Sequence, residues 1–301
     1  MMNDALSGLS PYQRAAVRHL EDLYLNRGRS VYLVAGEVGL GKTFIAKALI
    51  QRLGARRVIY IASNAEIARA NVDELTDRGR SGQTVSADRL SMFRPDALTP
   101  PEALWVYPLS PATTFTNLGS PTGRADERAF FRAAFQRRPA LFQDYLRFLE
   151  AQKKACGGRF PLSGKLSEKT PDDTLPPPSP DGWSVQQQAA LALEFPYLRK
   201  FFNDLAVASF QPDLLILDEF HRFHSLLAPP SGGPAYSMAA MLERLNAMRL
   251  EAGRPPCGSC FSPPHPTTCS SWKRRSAPTP PPAARPKRPA TPTEPSRISP
   301  S

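Results

Sequence analysis

Gly36-Glu37-Val38-Gly39-Leu40-Gly41-Lys42-Thr43 fits the pattern G-x-x-x-x-G-K-[ST] at every position. Each residue type in it suits one task, the holding of a polyphosphate. Glycines accept the dihedrals that turn successive N–H groups inward and form an anion nest. A helix beginning near Lys42 would add the positive end of its dipole. The Lys42 ammonium would reach the β- and γ-phosphates, and the Thr43 hydroxyl would ligate magnesium. The pattern predicts a bound nucleoside triphosphate, ATP with Mg2+, held by Gly36, Gly39, Gly41, Lys42 and Thr43.

A second chemical cluster lies far along the chain. Asp218-Glu219-Phe220-His221 follows the apolar run Leu214–Leu217. A carboxylate at the C-terminal end of a buried strand faces the crevice where α/β folds bind ligands. Asp218 would hold magnesium, directly or through water. Glu219 would orient and deprotonate an attacking water. His221 is either structural or a coupler between the nucleotide site and a second ligand.

These groups need a frame, and the hydrophobic pattern supplies one. Pro11–Leu25 reads as a helix, Ser30–Ala35 as a strand and Thr43–Leu53 as a helix. Arg57–Ala62, Ala103–Leu109 and Leu214–Leu217 are buried-strand candidates, and Val85 opens a weaker one. Ala65–Leu75 and Ser237–Leu250 have helical spacing. Alternating strand and helix predicts a parallel sheet with both faces covered. Residues 124–150 and 185–208 are helical, with a polar, Pro-containing loop over 155–181 between them.

Taken together, Gly36–Thr43 and Asp218-Glu219-Phe220-His221 resemble motifs I and II of the DExH-type superfamily 2 helicases. Gln13 sits where such proteins often carry an adenine-reading glutamine. Tyr60-Ile61-Ala62-Ser63-Asn64 resembles the motif after the second strand, which contacts the nucleic-acid backbone; Leu109–Phe115 would line the same groove. The resemblance covers roughly residues 10–250. It implies a RecA-like P-loop NTPase domain over 1–250, with a helical insertion over about 120–205. It also implies a nucleic-acid partner, DNA ahead of RNA. The insertion mixes Arg124, Arg128, Arg132, Arg137 and Arg138 with Phe130, Phe131 and Phe135. That mixture is either a stacking surface for nucleic acid or an amphipathic helix with a charged outer face.

The formal net charge is +11, which favours a polyanionic partner. Part of it comes from residues 251–301, where eight Lys/Arg stand against two acids and 14 of the 33 prolines fall. That composition predicts a disordered tail. Four cysteines are too few for a disulfide scaffold, and no signal peptide or apolar run long enough to span a bilayer is visible, so a cytoplasmic setting is expected. The helicase pattern further calls for a Ser-Ala-Thr motif and a second RecA-like domain; neither is found, so a truncated chain with impaired hydrolysis is expected. One permitted set of codons for Cys260–Cys269, read two bases later, spells Leu-Leu-Ser-Ala-Thr-Pro-Tyr-Asn-Leu, which points to a frame slip between about Leu250 and Cys257. A rival reading takes Cys257, Cys260, His265 and Cys269 as zinc ligands, one residue short of knuckle spacing. Two further function classes stay open: an oligomeric AAA-type remodeller or loader, and a nucleic-acid-binding protein acting through its basic tail.

Overall fold

Strands with apolar residues at consecutive positions must be covered on both faces, and three segments of this chain meet that condition. In the computed structural model they are β2 (Arg57–Ile61), β4 (Trp105–Leu109) and β5 (Leu214–Leu217). With β1 (Val31–Leu33), β3 (Gln83–Thr84) and β6 (Gly258–Phe261) they form a sheet in the order β1-β6-β5-β2-β4-β3, every pair parallel. The helices are α1 (Pro11–Leu25), α2 (Lys42–Leu53), α3 (Ala65–Leu75), α4 (Pro111–Thr114), α5 (Ala125–Arg137), α6 (Pro139–Ala155), α7 (Pro171–Thr174), α8 (Val185–Phe210) and α9 (Met238–Glu251). The structure describes residues 5–25, 31–33, 41–87, 89–100, 102–114, 121–156, 160–162, 169–175, 184–218, 238–251, 253 and 258–261.

The period of two along each strand sorts side chains onto two cores. Val58, Tyr60, Val106, Leu214 and Ile216 face one side, where they meet Val17 and Leu20 of α1, Ile45 and Leu49 of α2, and Val72 of α3. Ile59, Ile61, Tyr107, Leu109, Leu215 and Leu217 face the other, against Val207 and Phe210 of α8 and Met241 and Leu245 of α9. The α/β parallel class expected of the sequence is the observed one. At the N-terminal edge Asp213 fixes the register of two strands. Its Oδ2 accepts from the backbone N–H groups of Arg56 (3.0 Å) and Arg57 (3.1 Å), and its Oδ1 accepts from Arg249 (3.2 Å).

The segment between β4 and β5 builds a third core of its own. Phe131, Phe135, Phe142, Tyr145, Phe195 and Phe202 are buried together, with Phe131 stacked on Phe202 at 4.1 Å between centroids. Of the phenyl rings in the Arg/Phe mixture, Phe131 and Phe135 are therefore interior and Phe130 is half-buried against them. Arg128 is buried as well and donates to the carbonyls of Thr122 and Gly123, and Arg132 donates to the Leu175 carbonyl. Arg137 and Arg138 are exposed. A capping box starts α8: the Ser184 hydroxyl accepts from the Gln187 N–H, and the Gln187 side chain accepts from the Ser184 N–H. The helix then runs for 26 residues, out of this third core and into the sheet's own.

The compositional boundary at residue 250 is not the end of the sheet. β6 lies beyond it and fills the gap between β1 and β5, pairing Leu214–Leu217 with Gly258–Phe261. Composition averaged over the tail hides a four-residue strand, because pairing on both edges satisfies its backbone whatever its side chains. The same extended backbone at Gly258–Cys260 is not the tight turn a C-x2-C zinc chelate needs. Cys257, His265 and Cys269 lie outside the described residues.

Candidate nucleotide-binding site

All strands being parallel, their C-terminal ends share one edge of the sheet. β1 leads to α2, which packs on one face; β5 leads to α9, which packs on the other. β1 and β5 flank β6, and chains that leave them toward opposite faces open a crevice at that edge, the usual ligand site of open α/β sheets. Lys42 and Thr43 form the first turn of α2, and Asp218 is the residue after β5. Lys42, Thr43 and Asp218 are all half-buried.

The start of α2 has the features of an anion site. Its N-cap is Gly41, in the left-handed region at φ 69°, ψ 40°, with no side-chain capping hydrogen bond and no acid in the first turn. The first amides of a helix have no intrahelical acceptor and point outward with the positive dipole end. A Cβ at Gly41 would collide with the Gln13 amide and lie 3.2 Å from the Phe44 ring. The dihedral is what requires glycine, since the Gln13 amide is the end of a flexible side chain that could shift, and the cradle suits a ligand that approaches backbone closely. Gln13 is brought to this turn by α1. Its Oε1 accepts from the Ser10 N–H at 2.9 Å, so the side chain caps its own helix while its amide nitrogen faces Gly41.

Asp218 is held from two elements. Its backbone N–H donates to the Ile61 carbonyl at 2.8 Å, extending the β2–β5 ladder by one residue. Its Oδ2 accepts from the Tyr60 hydroxyl at 3.0 Å and from Asn71 Nδ2 at 3.2 Å. Asn71 Nδ2 also donates to the Tyr60 oxygen at 3.0 Å, closing a three-membered network. Tyr60 is 3% exposed. Neither Tyr60 nor Asn71 stood out in the sequence as a partner of Asp218. A signal was present in each: a phenol in an otherwise apolar strand needs a partner for its hydroxyl, and Asn71 interrupts the apolar face of α3 beside Ala68, Val72 and Leu75.

Gly36, Gly39, Glu219 and His221 lie outside the described residues. In the stretch after β2, Asn64 is the N-cap of α3, its side chain accepting from the Ile67 N–H at 2.8 Å. After β4, Ser110, Pro111 and Thr114 are buried and Ala112 is exposed; the Thr114 carbonyl accepts from Asn203.

The donor set fits a magnesium nucleotide. Thr43 and Asp218 offer hard oxygen ligands, which Mg2+ prefers in small number beside phosphate oxygens. Lys42 and the α2 amides would neutralise the phosphates.

Residues 7–92 match the family described as type III restriction enzyme, res subunit. No curated protein matches the chain at a significant level. Among the described residues, no helix is long and apolar enough to cross a membrane. The matched stretch runs from α1 through the α2 turn and β2 to α3 and β3, the same elements that place Gln13, Lys42, Thr43, Tyr60 and Asn71. Over that stretch the chain is similar to the res-subunit family, whose matched part is a superfamily 2 helicase-type N-terminal domain.

Proposed function

We propose that this chain binds ATP with Mg2+ at the C-terminal edge of its sheet, and that it is the first RecA-like domain of a DNA-acting superfamily 2 helicase or translocase. The observation that carries the reading is the placement of the α2 N-terminus and the Asp218 carboxylate at one edge of a parallel sheet, one strand apart. Gly36, Gly39, Gly41 and the α2 amides hold the phosphates, with Lys42 on the β- and γ-phosphates. Thr43 and Asp218 hold the metal, Glu219 orients the water, and Gln13 borders the base. The metal would supply charge neutralisation at the transferring phosphoryl group.

Titration with a fluorescent ATP analogue tests the binding: micromolar affinity that Lys42→Ala weakens at least tenfold supports it, and equal affinity in both proteins refutes it. An ATPase assay with single-stranded DNA tests the rest: turnover that DNA stimulates supports a DNA-acting ATPase, and turnover indifferent to DNA counts against it.

The position of β6 also favours the frame-slip reading. The shifted frame places an apolar strand before Ser-Ala-Thr, and the strand Gly258–Phe261 lies at that point of the chain, beside β5. Coding DNA for residues 245–300 decides it: the shifted frame must continue open through Leu-Ser-Ala-Thr, and an early stop there ends the idea.

A further inference from the structure

Tyr60 and Asn71 are the other groups that the structure brings to the metal-side carboxylate, and no role in nucleotide chemistry follows for them from their place in the sequence. Two donors from different elements, a strand and a helix, converge on one oxygen of Asp218. Each also bonds the other, through Asn71 Nδ2 and the Tyr60 oxygen. A carboxylate held at one oxygen by a single donor still swings about its Cα–Cβ and Cβ–Cγ bonds. Two donors tied to each other fix its plane. The donors are themselves rigid: the Tyr60 ring is buried in the core beneath α3, and Asn71 projects from the middle of that helix.

We propose that Tyr60 and Asn71 are positioning residues for the metal site, holding the Asp218 carboxylate ready for Mg2+ before nucleotide arrives. The proposal rests on the nucleotide-site reading given above. Its physical basis is preorganisation: a ligand already aimed loses less freedom when the cation binds. Hydrogen bonds to a charged group are stronger than neutral ones, so their loss is measurable.

The test uses the full chain and reads metal affinity rather than turnover. Binding of a fluorescent ATP analogue is measured with Mg2+ varied and in EDTA, for wild type, Tyr60→Phe, Asn71→Ala, Asp218→Asn and Tyr60→Phe/Asp218→Asn. Tyr60→Phe removes one oxygen and keeps the ring, so the fold is retained; circular dichroism and a melting curve verify this. The expected result is a roughly tenfold rise in the Mg2+ concentration for half-maximal effect in Tyr60→Phe and in Asn71→Ala, with metal-free affinity unchanged; a tenfold change is about 1.4 kcal/mol. In the Asp218→Asn background Tyr60→Phe should add nothing, the signature of action through one carboxylate. A lowered melting temperature with an unchanged Mg2+ requirement would overturn the proposal and leave the nucleotide site standing. Wild-type protein that binds no nucleotide, or binds it equally after Lys42→Ala, would instead remove the reading beneath it.

Discussion

Glu127 is fully buried where the insertion meets the sheet domain, and its removal should be the most costly single change in this region. Its carboxylate accepts from Arg199 Nε at 2.9 Å and Nη2 at 2.7 Å, and from the Ser91 hydroxyl at 2.8 Å. Arg89 Nε stands 3.9 Å away. Burial pushes the Arg89 guanidinium below its ordinary range, and the Glu127 charge offsets part of that. Glu127→Ala thus strands two buried guanidinium groups at once. Removing one partner of a buried pair costs about 3–5 kcal/mol, because the remaining charge loses its compensation. That is a large share of a typical stability of roughly 5–15 kcal/mol. At about 2–4 °C per kcal/mol for a chain of this order, the melting temperature should fall by roughly 6–20 °C. The double variant Glu127→Leu/Arg199→Met removes one stranded guanidinium with the carboxylate and should recover part of the loss, Arg89 staying buried without its counter-charge. Calorimetric melting of the three proteins checks this. A fall of under about 2 °C for Glu127→Ala, or a double variant worse than the single, would refute the reasoning that compensation of charge anchors the insertion.

Other changes follow from the same physical logic. Gly123 has φ +73°, and a Cβ there would collide with the Phe195 ring, so Gly123→Ala should destabilise the insertion by about 2–4 kcal/mol, read by urea unfolding. Glu194 is buried against Tyr145 and Lys169; desolvation raises its pKa, and the Lys169 charge opposes that. A raised folded-state pKa means its contribution is fully present below the ordinary carboxylate value and is lost as pH climbs through the raised one. Glu194→Gln should accordingly flatten the decline in stability just above the ordinary carboxylate range, and melting curves across mildly acidic pH that keep the wild-type slope would contradict it.

Much of this architecture was legible in the residues. α1, α3 and β5 fall where periodicity and apolar runs put them, because each buries a face or strand against a core that tolerates only one registration. β3 was displaced: Val85 was read as the start of a strand, yet the paired residues are Gln83 and Thr84, and Val85 is core just past the ladder. A two-residue edge strand leaves too short a pattern to locate. β6 was missed for a different reason, since its partners β1 and β5 stabilise it and its own residues carry no strand signature. In the site, the motif residues Lys42, Thr43 and Asp218 announced themselves by spacing. Tyr60 and Asn71 did not, because their role exists only once β2, α3 and β5 are assembled and a distant carboxylate comes within hydrogen-bond reach.

The central claim is that the first turn of α2 and the end of β5 share one triphosphate–metal pocket. Replacing Mg2+ by Fe2+ with ATP, then adding hydrogen peroxide with ascorbate to recycle the iron, generates hydroxyl radicals at the metal and cuts the backbone beside it. Mass spectrometry of the fragments should show two ATP-dependent cuts, one near Thr43 and one near Asp218, both lost in Lys42→Ala. Cleavage at only one of these positions, or cuts indifferent to ATP, would contradict the claim.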